Sequence, residues 1–144
     1  MLSDALIYGN HNITDGCDPT DLCKLVIPKW SPILLILPKA VVVTWKETLE
    51  TWGHFGVLVY GSNMSNEKRE FVLSHCREGH SEIMLVPHSL LEKKEHVSKI
   101  KSVSWTLLVI DEYHKMKNHD TNIYAAVVNL KQATNSPIIG LTGT

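Results

Sequence analysis

Five short apolar runs constrain this chain more than any other feature. They are "ILLIL" (33–37), "VLVY" (57–60), "IMLV" (83–86), "TLLVI" (106–110) and "IIGL" (138–141). Each has the length of a strand, and none alternates apolar with polar residues. Both faces of such a strand must therefore be buried, as happens in a parallel sheet with helices packed on each side. The segments between the runs supply those helices. In "AVVVTWKETLETW", Val42, Trp45, Leu49 and Trp52 share a face and Gly53 offers a stop. "SNEKREFVLSHCREG" opens on polar capping residues and closes at Gly79. "SLLEKKEHVSKIKS" aligns Leu90, Val97 and Ile100, and "DTNIYAAVVNLKQA" aligns Ile123, Ala126, Val127 and Leu130. Regular alternation of strand and helix predicts an α/β fold with a parallel sheet.

Composition narrows the class. A chain of 144 residues can build one real core. Its net charge of −1 makes the whole molecule no magnet for nucleic acid, so any such contact must come from a local patch. Cys17, Cys23 and Cys76 form neither an even set nor a CxxC pair and read as free thiols of a reducing compartment. No signal peptide is visible and no apolar run reaches the roughly 18 residues of a membrane span. The expectation is an intracellular protein that has no membrane partner, in which the sequons at Asn12 and Asn63 arise by chance. Residues 1–30, with "NHNITDGCDPTD", are dense in turn formers and carry no pattern; residues 31–144 form the rhythmic domain.

In a parallel sheet, ligands gather at the carboxyl ends of the strands. One strand ends in "LLVIDEYHKMKN" (107–118), where Asp111 and Glu112 follow directly on the apolar run. Adjacent carboxylates there suit a hydrated Mg²⁺ bound to a nucleoside triphosphate: the first acid holds the ion and the second orients the attacking water. The competing explanation is a helix N-terminus, where the dipole favours acids. Similarly, Trp45 and Trp52 read as core packing, and "HCREGH" (75–80) reads as surface, since it lacks a second ligand pair for a metal.

"LLVIDEYHKMKN" resembles motif II of superfamily-two helicases, and its trailing "HKMKN" is similar to the Swi/Snf-type DNA translocases. Further stretches fall in that family's order. "PILLILPKAVVVTWKETLETW" is similar to motif Ia, "VLVYGSNMSNEKR" to the next strand and loop, and "IIGLTGT" to motif III; His114 and Gly140 lie 26 residues apart. The flavour is closest to the excision-repair, Cockayne-syndrome-group-B-like branch. The resemblance implies a RecA-like lobe that uses ATP and Mg²⁺, acts on double-stranded DNA or chromatin in the nucleus, and works with a second ATPase lobe. It implies that Asp111 holds Mg²⁺ and that Glu112 positions water. It further implies that His114 joins the nucleotide site to Thr142, Gly143 and Thr144, and that Pro38, Lys39 and the helix around Trp45 lie near the DNA backbone.

Some of the family's pattern is missing. None of the eight glycines is followed by lysine, so there is no Gly-x-x-x-x-Gly-Lys-Ser/Thr loop. The resemblance then implies an incomplete lobe, without the P-loop strand and with unpaired sheet edges, where "LCKLVIP" (22–28) could fill part of the gap. Tyr113 replaces a small residue of motif II and would either crowd the phosphate or swing outward. His88 and Ser89 stand where the family has Tyr and Glu. The expected function is a partial ATPase lobe of a DNA translocase, inactive alone; the alternative is a non-catalytic scaffold or interaction module built from that lobe.

Overall fold

The computed structural model describes residues 31–143. The N-terminal segment 1–30, with Cys17, Cys23, the Asn12 sequon and the 22–28 stretch, lies outside the described residues, as does Thr144. Five strands appear where the apolar runs predict them: β1 (Ile33–Leu37), β2 (Val57–Val59), β3 (Ile83–Pro87), β4 (Leu107–Ile110) and β5 (Ile138–Gly140). All pairings are parallel, and the order across the sheet is β2-β3-β1-β4-β5. β1 is central, in register with Ile83–Pro87 on one side and Leu107–Ile110 on the other. The five described strands form one uninterrupted sheet, whose edges are β2 and β5.

Alternate residues of each central strand face opposite layers. Leu34, Ile36, Met84, Val86, Leu108 and Ile110 enter the larger core cluster. They meet α2 (Asn66–Arg77), α3 (His88–Leu91), α4 (Lys94–Ile100) and α5 (Asn122–Thr134). Leu35, Leu37, Ile83 and Leu85 face the other layer, where α1 (Val42–Gly53) contributes Val42, Trp45 and Leu49. Helices therefore cover both faces, unequally. Local chemistry sets the helix ends. Ser65 caps α2 by accepting the Lys68 N–H at 3.3 Å, and Thr121 caps α5 by accepting from Tyr124 at 3.2 Å. Gly79, with φ 75°, supplies the left-handed turn after α2.

Three details depart from the sequence reading. Trp52 is 84% exposed instead of sharing the buried face of α1, and Phe55, just past the helix end, packs on that cluster instead. The stop itself is His54, in the left-handed region at φ 52°, one residue beyond Gly53. The single helix expected over 89–102 is two helices, broken where Lys93 turns extended. That break resets the helical phase, so Leu90 and Leu91 are buried together and His96, Val97 and Ile100 are buried after it. Among the described residues, no helix is long and apolar enough to cross a membrane.

Two histidines lie inside this core, His96 at 2% exposed and His88 at 6%. The Tyr60 hydroxyl, fully buried, lies 2.9 Å from His96 Nδ1, and Glu95 sits 3.4 Å from His96 Nε2. Donation by Tyr60 to Nδ1 and by Nε2–H to Glu95 satisfies every group at once. Burial pushes His96 below its ordinary value, helped by Arg69, and burial with nearby Lys115 does the same to His88. The unfolded chain then binds protons that the folded one does not. Stability from these groups is complete above the ordinary histidine range of about 6.5 and is lost as pH falls toward the lower folded values. Urea midpoints should therefore drop between pH 7 and pH 5, and the drop should be smaller in a His88→Gln/His96→Gln double variant. An equal drop in both proteins would assign the acid sensitivity to other groups.

Candidate active site

Because every strand is parallel, all five carboxyl ends open on one edge of the sheet. Pro38 and Lys39 follow β1, Gly61 follows β2, His88 follows β3, Asp111 to His114 follow β4, and Leu141 to Gly143 follow β5. The chain leaves β1 for β2 on one side and leaves β4 for β5 on the other. β1 and β4 are adjacent, so the connections diverge there and open a crevice, the usual ligand position in a sheet of this kind. Asp111 stands at that crevice.

The first acid is fixed by backbone. Asp111 N–H donates to the Ile36 carbonyl at 2.9 Å, carrying the β1–β4 ladder one residue past the strand. Its Oδ1 accepts the Glu112 N–H at 2.9 Å, and its Oδ2 accepts the indole N–H of Trp45 at 3.3 Å. Glu112 then adopts a left-handed backbone, φ 57° and ψ 42°, a conformation that costs a non-glycine residue about 1–3 kcal/mol. The chain turns sharply enough that a single 3-10 turn, Tyr113–Lys117, follows, while α5 begins only at Asn122. The helix-dipole explanation of the acid pair therefore fails: no α-helix starts at these carboxylates.

The turn aims His114 back across the site. His114 Nε2 is 3.2 Å from Glu112 Oε2, and His114 Nδ1 is 3.3 Å from Thr142 Oγ1. The imidazole thus bridges the second acid to the segment after β5. Backbone reinforces the same junction: Tyr113 N–H donates to Leu141 O and Leu141 N–H to Ile110 O, both at 2.8 Å. Of the residues singled out in the sequence, Asp111, Glu112, His114 and Thr142 are brought together. Gly143 is the next residue of that segment, with open space where its Cβ would be, and Thr144 lies outside the described residues. Pro38 and exposed Lys39 lie at the end of neighbouring β1, on the same edge.

The Tyr113 side chain lies against β5. A Cβ built on Gly140 would come within 2.4 Å of the Tyr113 Cγ, so the ring lies directly on that glycine. Two participants were not read as such from the sequence. Trp45 was assigned to packing, and its half-buried ring also reaches Asp111. His88 was noted only as a departure from a family pattern. It is buried beside backbone groups of Asp111 and Ile36 with no hydrogen-bond partner for its Nε2.

The donor set fits a hard, hydrated cation. Each Asp111 oxygen accepts one N–H and retains a second lone pair, and Mg²⁺ typically takes one or two carboxylates with water and phosphate oxygens completing its shell. Among the described residues, no three metal-ligating side chains converge, so an all-protein cage such as zinc prefers is not formed at 75–80 or at 111–114. Cys76 of that first stretch is buried, and its thiol is pushed up to about 12 by burial, hence neutral.

Comparison with known proteins gives one consistent answer. The family profile described as SNF2-related domain matches residues 6–144. The chain is 28% identical over 128 residues to a CHD3-type chromatin-remodeling factor, CHR7, of Arabidopsis thaliana. It is 33% identical over 113 residues to the DNA excision repair protein ERCC-6-like 2 of Mus musculus. These alignments cover 85% and 77% of this chain but 10% and 7% of those proteins. Among solved structures, the Sulfolobus solfataricus SWI2/SNF2 ATPase core in complex with dsDNA is similar with a TM-score of 0.61 at 28% identity. That match covers 79% of this chain and 21% of the other.

The Tyr113–Gly140 contact can be tested directly. Gly140→Ala should destabilise the protein by about 1–3 kcal/mol, because the clash falls on the near end of the Tyr113 side chain, which cannot bend away. In a Tyr113→Ala background the same change should cost far less. The non-additivity, read by chemical denaturation, measures the contact.

Proposed function

The chain belongs to the SNF2-related domain family, and from that premise we propose that residues 31–144 are part of the first ATPase lobe of an ATP-dependent DNA translocase acting on chromatin in the nucleus. One observation supports this reading above the others: the Asp111, Glu112, His114 and Thr142 side chains converge at the crevice where the β1 and β4 connections diverge. Nucleotide use is what the family as a whole implies; the individual roles below are our assignment.

Asp111 would hold the Mg²⁺ that accompanies ATP, through the lone pairs left on its two oxygens. When bound, Mg-ATP supplies the phosphoryl group and the charge neutralisation for its transfer. Glu112, partly exposed at the crevice, would orient or deprotonate the attacking water. His114 holds Glu112 on one side and Thr142 on the other, so a change at the second acid would be felt in the segment after β5. Pro38 and Lys39 would face the DNA backbone from the neighbouring strand end, with Lys115 and Lys117 exposed on the same edge. These lysines would supply the local positive charge that a chain of net charge −1 needs for such contact.

Taken by itself, the chain should turn ATP over very slowly. It contains no glycine-lysine pair to cradle phosphates, and a trans-acting arginine alone typically contributes about 10³–10⁵ in rate. The same lack of a cradle favours a second reading, an interaction module that keeps the scaffold and not the nucleotide. Titration calorimetry with Mg-ATP on the 144-residue chain and on Asp111→Ala separates the two. Heat in the parent that vanishes in the variant supports the cation site, with no phosphate release above background in either. A well-folded parent that gives no heat would favour the module.

A further inference from the structure

Trp45 lies 66 residues from Asp111 in sequence, and its indole N–H donates to Asp111 Oδ2 at 3.3 Å. The other oxygen, Oδ1, is held at 2.9 Å by the Glu112 N–H. One carboxylate thus accepts a single donor on each oxygen, from two separate elements of the fold. Rotation about the Cβ–Cγ bond of Asp111 would break at least one of these bonds, so the pair fixes the plane of the carboxylate. A cation needs that plane fixed, because the lone pairs it takes are the ones the two N–H groups leave free. Glu112 alone cannot do this: a single bond to the residue's own neighbour leaves the outer oxygen free to swing.

The ring is well placed for the task. Trp45 is half-buried against Leu35, Leu37 and the rest of the second core cluster, which limits its rotamers. Its helix is anchored by the turn after β1, where the Val41 N–H donates to the Pro38 carbonyl at 3.1 Å. The indole is therefore held by β1 and α1, and the carboxylate by β4. The contact crosses the crevice from one side to the other.

We propose that Trp45 is a positioning residue for Asp111: its indole N–H sets the carboxylate plane in which a divalent cation is held. This rests on the reading of Asp111 as the cation ligand. Trp45 does not touch the cation; it acts through the acid.

The test uses the 144-residue chain with Mn²⁺ alone as a paramagnetic probe, free Mn²⁺ being read by electron paramagnetic resonance. Wild type is compared with Trp45→Phe, which keeps an aromatic side chain and loses the donor, and with Trp52→Phe, which makes the same change at the exposed tryptophan on the same helix. Loss of the indole donor should weaken Mn²⁺ binding roughly three- to tenfold, the scale of one partly exposed hydrogen bond, while Trp52→Phe leaves it unchanged. In metal-free buffer, ¹⁵N–¹H spectra resolve the indole signals, and Trp45 is assigned by its disappearance in Trp45→Phe. Asp111→Asn should move that signal and leave the Trp52 signal in place. Equal Mn²⁺ affinity in the two tryptophan variants, with wild-type binding intact, would overturn this proposal and spare the cation site. A Trp45 signal indifferent to Asp111→Asn would overturn it as well. No Mn²⁺ binding by wild type would overturn the cation reading, and the positioning role with it.

Discussion

The 2.9 Å backbone bond from Asp111 to Ile36 is the constraint on which the rest of the site depends. It extends the ladder between the central strand and β4 by one residue, so the first acid is positioned by the sheet and not by a loop. The pairing is possible only because β1 and β4 are parallel neighbours in register from Ile33↔Leu107 to Ile36↔Ile110. From that fixed point the geometry follows outward. Trp45 reaches Asp111 from β1's side of the crevice, and the turn after Glu112 brings His114 to Thr142 from the side of β5. A helix or loop carrying the same acids would scatter them by more than the few tenths of an ångström that cation coordination tolerates.

Strand positions were legible because burial on both faces leaves an uninterrupted apolar run, and all five runs became strands within one or two residues. The convergence of the residues after β4 with those after β5 was legible for a related reason: in a parallel sheet every carboxyl end shares an edge. Strand order was not. Nothing in a run of leucine and isoleucine says which neighbour it pairs with, yet only the placing of β1 beside β4 puts Trp45 within reach of Asp111. The left-handed backbone of Glu112 was equally hidden, since glutamate rarely adopts it and the sequence around it reads as a helix start. Trp52 misled for a geometric reason. Helical phase places it with Trp45, but phase does not say where the supporting layer ends, and a partly buried Phe55 packs on the cluster instead.

Family membership and local geometry answer different questions about this chain. The profile match over residues 6–144 establishes descent and fold, and the relatives it resembles are several times longer. The structure adds a local detail to that scaffold: the Tyr113 ring, after β4, lies against Gly140 of β5. The two residues are mutually consistent, because the ring needs the space that a Cβ at 140 would fill.

The strain at Glu112 shows how strongly that arrangement is imposed. A left-handed glutamate costs about 1–3 kcal/mol and persists only where neighbouring contacts over-determine it. Here they do. The Glu112 N–H is taken by Asp111 Oδ1, its carbonyl accepts from Lys115 at 2.9 Å, and the next residue is tied to Leu141. Its side chain is met by His114, which is itself engaged by Thr142. At roughly 0.5–1.5 kcal/mol net for each hydrogen bond, these contacts together exceed the strain. Relaxing Glu112 to an ordinary helical backbone would break several of them at once and swing its carboxylate away from His114. Glu112 is therefore held by the same contacts that join β4 to β5, while Asp111 is held by β1 and by Trp45, so the two acids are fixed from opposite sides of the point where the strand connections diverge.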